Sequence, residues 1–149
     1  MGSLISNRVL DQSDQIKEIA EVYANHSNCL YLGRGVNFPI ALEGALKLKE
    51  ISYVPTEAYA GGEMKHGPIA LINEETPSVF LVPEDSLRDK IISNMKEVKS
   101  RKGRVIAVAV EGDGEVAAIA DDLARVLSDV PFLASRAQSV ALILVVGAT

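Results

Sequence analysis

The chain has 149 residues, a formal net charge of -5, a hydrophobic share of 48% and a charged share of 23%. That length fits one domain over residues 1–149 with a substantial core, and the composition is ordinary for a globular protein. The negative balance, an aromatic share of 5% and the lack of Trp argue against nucleic acid as a partner.

Short apolar runs alternate with amphipathic segments, the pattern of a parallel sheet with helices on both faces. Asp11 or Ser13 caps a predicted helix through about Ala24, with Ile16, Ile19, Ala20 and Tyr23 on one side. Cys29–Leu32 is the first predicted strand, ended by Gly33-Arg34-Gly35. Pro39 sits early in a helix that runs to about Tyr53, and Pro55–Ala58 is a short second strand. Gly61-Gly62 opens a brief helix carrying His66, followed by Pro68–Leu71. Ser78–Val82 is a third strand. Leu87–Arg101 is a helix with Ile91, Ile92, Met95 and Val98 inward, stopped by Gly103. Lys96, Lys99, Arg101, Lys102 and Arg104 cluster at its end, where cations complement the macrodipole. Arg104–Val110 is a β-branched fourth strand, Val116–Ala120 at best a helical turn, and Ala124–Leu127 a fifth, edge strand. Leu133, Ala137, Val140, Ala141, Leu144 and Val145 follow helical spacing.

The lone Cys29 reads as a buried core thiol and excludes an internal disulfide. No metal-ligand spacing is present. The N-terminus has no basic region followed by an apolar run. Val140–Val146, the longest apolar run, is too short to cross a bilayer. A cytoplasmic protein without membrane contact is expected.

The second predicted helix carries the chemistry. At about 100° per residue, Glu43, Lys47 and Glu50 fall within roughly 60° of arc. Ile40, Ala41, Leu42, Gly44, Ala45, Leu46, Leu48 and Ile51 fill most of the remaining circumference. A helix apolar nearly all round is usually buried, and an unpaired carboxylate there costs several kcal/mol. The charges are therefore expected to line a half-buried polar cavity. There Glu50 would serve as a base moving a proton between adjacent carbons of a sugar, and Lys47 would stabilise the resulting anion. A plain Lys47–Glu50 ion pair fits the same spacing. His66, between a Gly-Gly start and Gly67-Pro68, sits on tightly specified backbone and suits a proton shuttle. Gly33-Arg34-Gly35 has the form of a phosphate-cradling turn. Phe38 nevertheless stands where a dinucleotide fingerprint needs glycine, and Val36, Asn37 and Phe38 supply no hydroxyl.

Leu32–Ile72 closely resembles the second sugar-isomerase (SIS) subdomain of the glucosamine-6-phosphate synthase family, the isomerising glutamine–fructose-6-phosphate aminotransferases. The matching text is Gly33-Arg34-Gly35, Pro39 through Tyr53, Glu57-Ala58-Tyr59-Ala60, and Glu63 through Pro68. The resemblance implies a three-layer αβα sandwich, flavodoxin-like, with a five-stranded parallel sheet. It implies conversion of fructose 6-phosphate and glutamine-derived ammonia into glucosamine 6-phosphate, without metal or organic cofactor. By motif position Glu50 resembles the acid/base and Lys47 its charged neighbour. His66 resembles the ring-opening histidine, which in the family reaches across a homodimer interface. Glu43, Gly33, Arg34 and Gly35 are the substrate-binding candidates.

The family's glutaminase domain and its first SIS subdomain, with Ser/Thr-rich phosphate loops, have no counterpart in these residues. Its Schiff-base lysine would follow Thr149. The chain is thus expected to be part of a longer enzyme and silent on its own. Two other classes stay open: a non-catalytic SIS module sensing a sugar phosphate for a regulator, and a structural dimerisation domain.

Overall fold

Apart from Ser78 and the leading Arg104, Cys29–Gly33 (β1), Pro77–Val82 (β3) and Arg104–Val110 (β4) are apolar runs, as strands buried on both faces should be. In the computed structural model they pair in parallel, with Thr56–Ala60 (β2) and Asp122–Val126 (β5) at the edges. The order is β2-β1-β3-β4-β5, the flavodoxin-like doubly wound topology. The structure describes Glu18 and residues 28–35, 37–52, 55–82, 86–110 and 112–126. Apart from Glu18, the helices expected near residues 11–24 and 133–145 lie outside these.

Asn37–Ser52 (α1) packs on β1 and β2, whereas Arg88–Ser100 (α2) packs on β3 and β4. The step from β1 to β2 runs one way along the sheet and the later steps run the other. With right-handed crossovers, α1 therefore lies on one face. The 3-10 segments Gly61–His66 and Pro68–Leu71, α2, and the short helix Gly114–Ile119 (α3) lie on the opposite face. Period-2 alternation divides the strand side chains to match. Leu30, Leu32, Phe80, Val82, Val105, Ala107 and Ala109 join Met64, Ile91, Ile92, Met95 and Val98 in one core. Cys29, Tyr31, Val79, Leu81, Ile106 and Val108 are buried on the α1 side.

Two boundaries differ from expectation for local reasons. The left-handed residue that ends α2 is Lys102, at φ 63°, not Gly103. The Gly103 amide bonds back to the Val98 carbonyl at 2.9 Å, closing a Schellman-type cap. Gly103 is required instead for space, since a Cβ there would lie 2.6 Å from side-chain atoms of both Ile72 and Val98. The expected turn near Val116 is a genuine helix, because the Asp113 carboxylate accepts from the Val116 amide at 3.2 Å.

Candidate functional site

In an open parallel sheet, ligands gather beyond the carboxyl ends of strands where the winding direction reverses, here between β1 and β3. Gly33-Arg34-Gly35 occupies the end of β1. A side chain at Gly33 would strike the backbone of Asn37, so β1 and α1 approach more closely than any other residue permits. Gly35 takes a left-handed φ of 58°. The amides of Asn37 and Phe38 then donate to the carbonyls of Arg34 and Gly35, at 3.1 and 3.2 Å. The turn is closed by its own hydrogen bonds, and α1 begins without offering those two donors outward. The side-chain Oδ1 of Asn37 is buried and has no hydrogen-bond partner among the described residues.

The α1 stripe forms as its spacing requires. Lys47 Nζ lies 3.5 Å from Glu43 Oε1 and 3.7 Å from Glu50 Oε2. Its setting differs from expectation. The three side chains are 35%, 36% and 54% exposed for Lys47, Glu43 and Glu50, and Leu42 and Leu46 are 46% and 45% exposed. The helix covers only one layer, so Ile40, Ala41, Gly44 and Ala45 go inward while the opposite circumference faces out. The anticipated half-buried cavity in a wholly apolar rod is therefore not formed among the described residues. Glu43 does enter the lining of a cleft of about 340 Å3 between α1 and β2, with Leu42, Leu46, Lys49 and Glu57.

His66 is exposed at the end of Gly61–His66, across the sheet from the stripe. Its segment is anchored by fully buried Met64 and by Lys65, whose Nζ lies 3.0 Å from Glu97 of α2. Arg34 points the same way: its Nε donates to Oδ1 of buried Asn94 at 3.1 Å. Sequence reasoning singled out Arg34 but not Asn94. The signal was present, since position 94 follows Ile91 by three residues and shares its inward face.

It also missed two ion-pair networks that fix the loops. Arg88 donates to both carboxylate oxygens of Asp113, at 2.6 and 3.2 Å, and to Glu115 at 3.0 Å. Burial raises the Asp113 carboxyl, but the hydrogen bonds from Arg88 and the Val116 amide outweigh it and hold the group below its usual range. Asp121 is lowered in the same manner. Desolvation is opposed there by Lys99 at 2.8 Å, the Val105 amide at 2.8 Å and nearby Arg104. The basic cluster after α2 thus ties the start of β4 to the approach of β5. Burial pushes the Cys29 thiol up to about 12, as an inert core thiol requires. Among the described residues, no group of His, Cys, Asp and Glu is arranged to hold a metal, and no helix is long and apolar enough to cross a membrane.

The sequence profile of the SIS domain matches residues 22–146. A glutamine–fructose-6-phosphate aminotransferase (isomerizing) from Chlorobaculum tepidum is 57% identical over 115 residues, which are 77% of this chain and 19% of that protein. The enzyme of the same name from Aquifex aeolicus is 56% identical over 106 residues, 71% of this chain and 18% of that protein. This chain therefore spans under a fifth of these relatives. Among solved structures, the C-terminal domain of glucosamine-fructose-6-phosphate aminotransferase from Francisella tularensis superposes with a TM-score of 0.85 at 35% identity. The match covers 97% of this chain and 40% of that one.

Proposed function

The chain belongs to the SIS domain family, and from that membership we propose that it supplies proton-transfer groups to an isomerising glutamine–fructose-6-phosphate aminotransferase. The observation that carries the proposal is the 57% identity over 115 residues. Any stretch of that length in 149 residues includes positions 35–115, and so Glu43, Lys47, Glu50 and His66.

The chemistry is a carbonyl amination followed by a one-carbon proton shift. Ammonia derived from glutamine condenses with C2 of fructose 6-phosphate, losing water to leave an imine. Glu50 takes a proton from C1 as the C2 nitrogen is protonated, giving a C1=C2 enolamine. Return of a proton to C2, with the O1 proton lost as C1 becomes the carbonyl, gives the 2-amino aldose phosphate. Lys47, between two carboxylates, would set its ammonium against the charge that develops on the intermediate. His66 would move the proton that opens the sugar ring. The sheet lies between His66 and Glu50 in one chain. Their joint action therefore calls for a second copy, and a homodimer is part of the proposal, as is a cytoplasmic setting.

Replacing Glu50 by Gln in the intact protein tests the assignment. Glucosamine 6-phosphate formation should be abolished while fructose 6-phosphate still binds. A wild-type protein that binds the sugar phosphate and never turns it over would instead favour the non-catalytic sensing module.

A further inference from the structure

Resting on the function proposed above, we propose that Asn94 is a positioning residue, which with Arg34 clamps the segment Gly61–His66 and so fixes where His66 is presented. Asn94 is the one polar side chain among the buried positions of α2. Burying an amide is costly unless it is hydrogen-bonded, and its Oδ1 accepts from Arg34 Nε at 3.1 Å. That bond runs directly over Gly61, the first residue of the segment. A Cβ at Gly61 would lie 2.7 Å from both bonded atoms and 2.8 Å from Arg34 Cγ. At its far end the segment is held by Met64 in the core and by Lys65 on Glu97. Positions 94 and 97 are three apart, on one face of α2. One helix thus grips the start of the segment and the residue before His66, while the imidazole itself remains exposed. The clamp sets the backbone from which the ring projects.

The intact protein is the material for the test. Asn94→Ala should lower kcat for glucosamine 6-phosphate formation about 10- to 100-fold, the scale of a misplaced reacting group. KM for fructose 6-phosphate should barely change, because the segment moves a proton and does not grip the phosphate. Amide hydrogen exchange over residues 61–67 should accelerate in the same variant. Asn94→Asp, which keeps the acceptor, should restore most of kcat. Glu97→Gln, at a partly exposed position, weakens only the ion pair to Lys65 and should give a smaller loss of kcat of the same kind. If Asn94→Ala does not fold, Glu97→Gln and Asn94→Asp carry the comparison. The clamp is overturned if kcat stays within about twofold of wild type in Asn94→Ala and Glu97→Gln, or if exchange over 61–67 is unchanged. His66→Ala separates the two levels: if it leaves turnover intact, the function assigned to this site fails and the clamp with it. If His66→Ala abolishes turnover while Asn94→Ala does not, the clamp alone fails.

Discussion

Asp113 is the residue whose removal has the most calculable effect on the fold. It caps α3 through the Val116 amide and receives two hydrogen bonds from Arg88. Its side chain is 6% exposed and that of Arg88 22%, so solvent screens the pair only in part. Asp113→Ala removes a helix cap, about 1 kcal/mol, and a charge-assisted pair, about 1.5–3 kcal/mol. Arg88 retains Glu115 at 3.0 Å. The loss should therefore sit near 3 kcal/mol, at the low end for a broken buried pair. Asp113→Asn keeps the cap acceptor and loses only the charge, so about 1 kcal/mol is expected. Because the folded carboxyl is lowered, its stabilisation is fully present above the unfolded value near 3.9 and is lost as pH falls through the folded value. Urea unfolding of wild type and Asp113→Asn should show a constant gap from about pH 5 to 8 that closes in stronger acid. A gap that persists undiminished at about pH 2 would refute the ion-pair assignment, as would no gap at neutral pH.

The Cys29 thiol, buried and raised to about 12, should resist alkylation by iodoacetamide at about pH 8, where an ordinary thiol reacts readily. It should label only in denaturant, and rapid labelling of the native protein would contradict its placement in the core. The 149-residue chain alone, given fructose 6-phosphate and ammonia, is expected to form no glucosamine 6-phosphate. Its β1–α1 turn has no hydroxyl side chain and closes on its own carbonyls, and Arg34 Nε is bonded to Asn94, so little there positions the phosphate. Product in a coupled assay would overturn that expectation.

The central strands and the sheet class were legible because fully buried parallel strands are continuous apolar runs, and Cys29–Leu32, Ser78–Val82 and Arg104–Val110 have no competing period. α2 was legible for the opposite reason, since Ile91, Ile92, Met95 and Val98 repeat at helical spacing. α1 shows where such reasoning fails. Composition around a helix reports how much of it can be buried, not how many layers cover it. Leu42 and Leu46 fit the apolar pattern as well as Ala41 and Ala45, yet only the latter are buried. Asn94 escaped notice because its partner, Arg34, lies 60 residues away. Spacing reveals a face, whereas a long-range hydrogen bond is settled by the topology.

The exposure of the α1 stripe bears on what its charges are for. Lys47 is over a third exposed and sits 3.5 and 3.7 Å from its carboxylates. Pairs of that kind contribute roughly 0–1 kcal/mol. Stability of the single chain is thus a weak reason for a carboxylate, an ammonium and a second carboxylate to stand beside two exposed leucines. Under the proposed function the same charges work where substrate and a second copy exclude water, and there each interaction gains strength as the dielectric falls. Lys47→Met separates these roles. The unfolding free energy of the intact protein should change by no more than about 1 kcal/mol. Turnover of fructose 6-phosphate should fall by about 100- to 1,000-fold, the usual cost of deleting one group that stabilises developing charge. Parallel, modest losses in stability and turnover would mean that Lys47 is only a surface ion-pair partner.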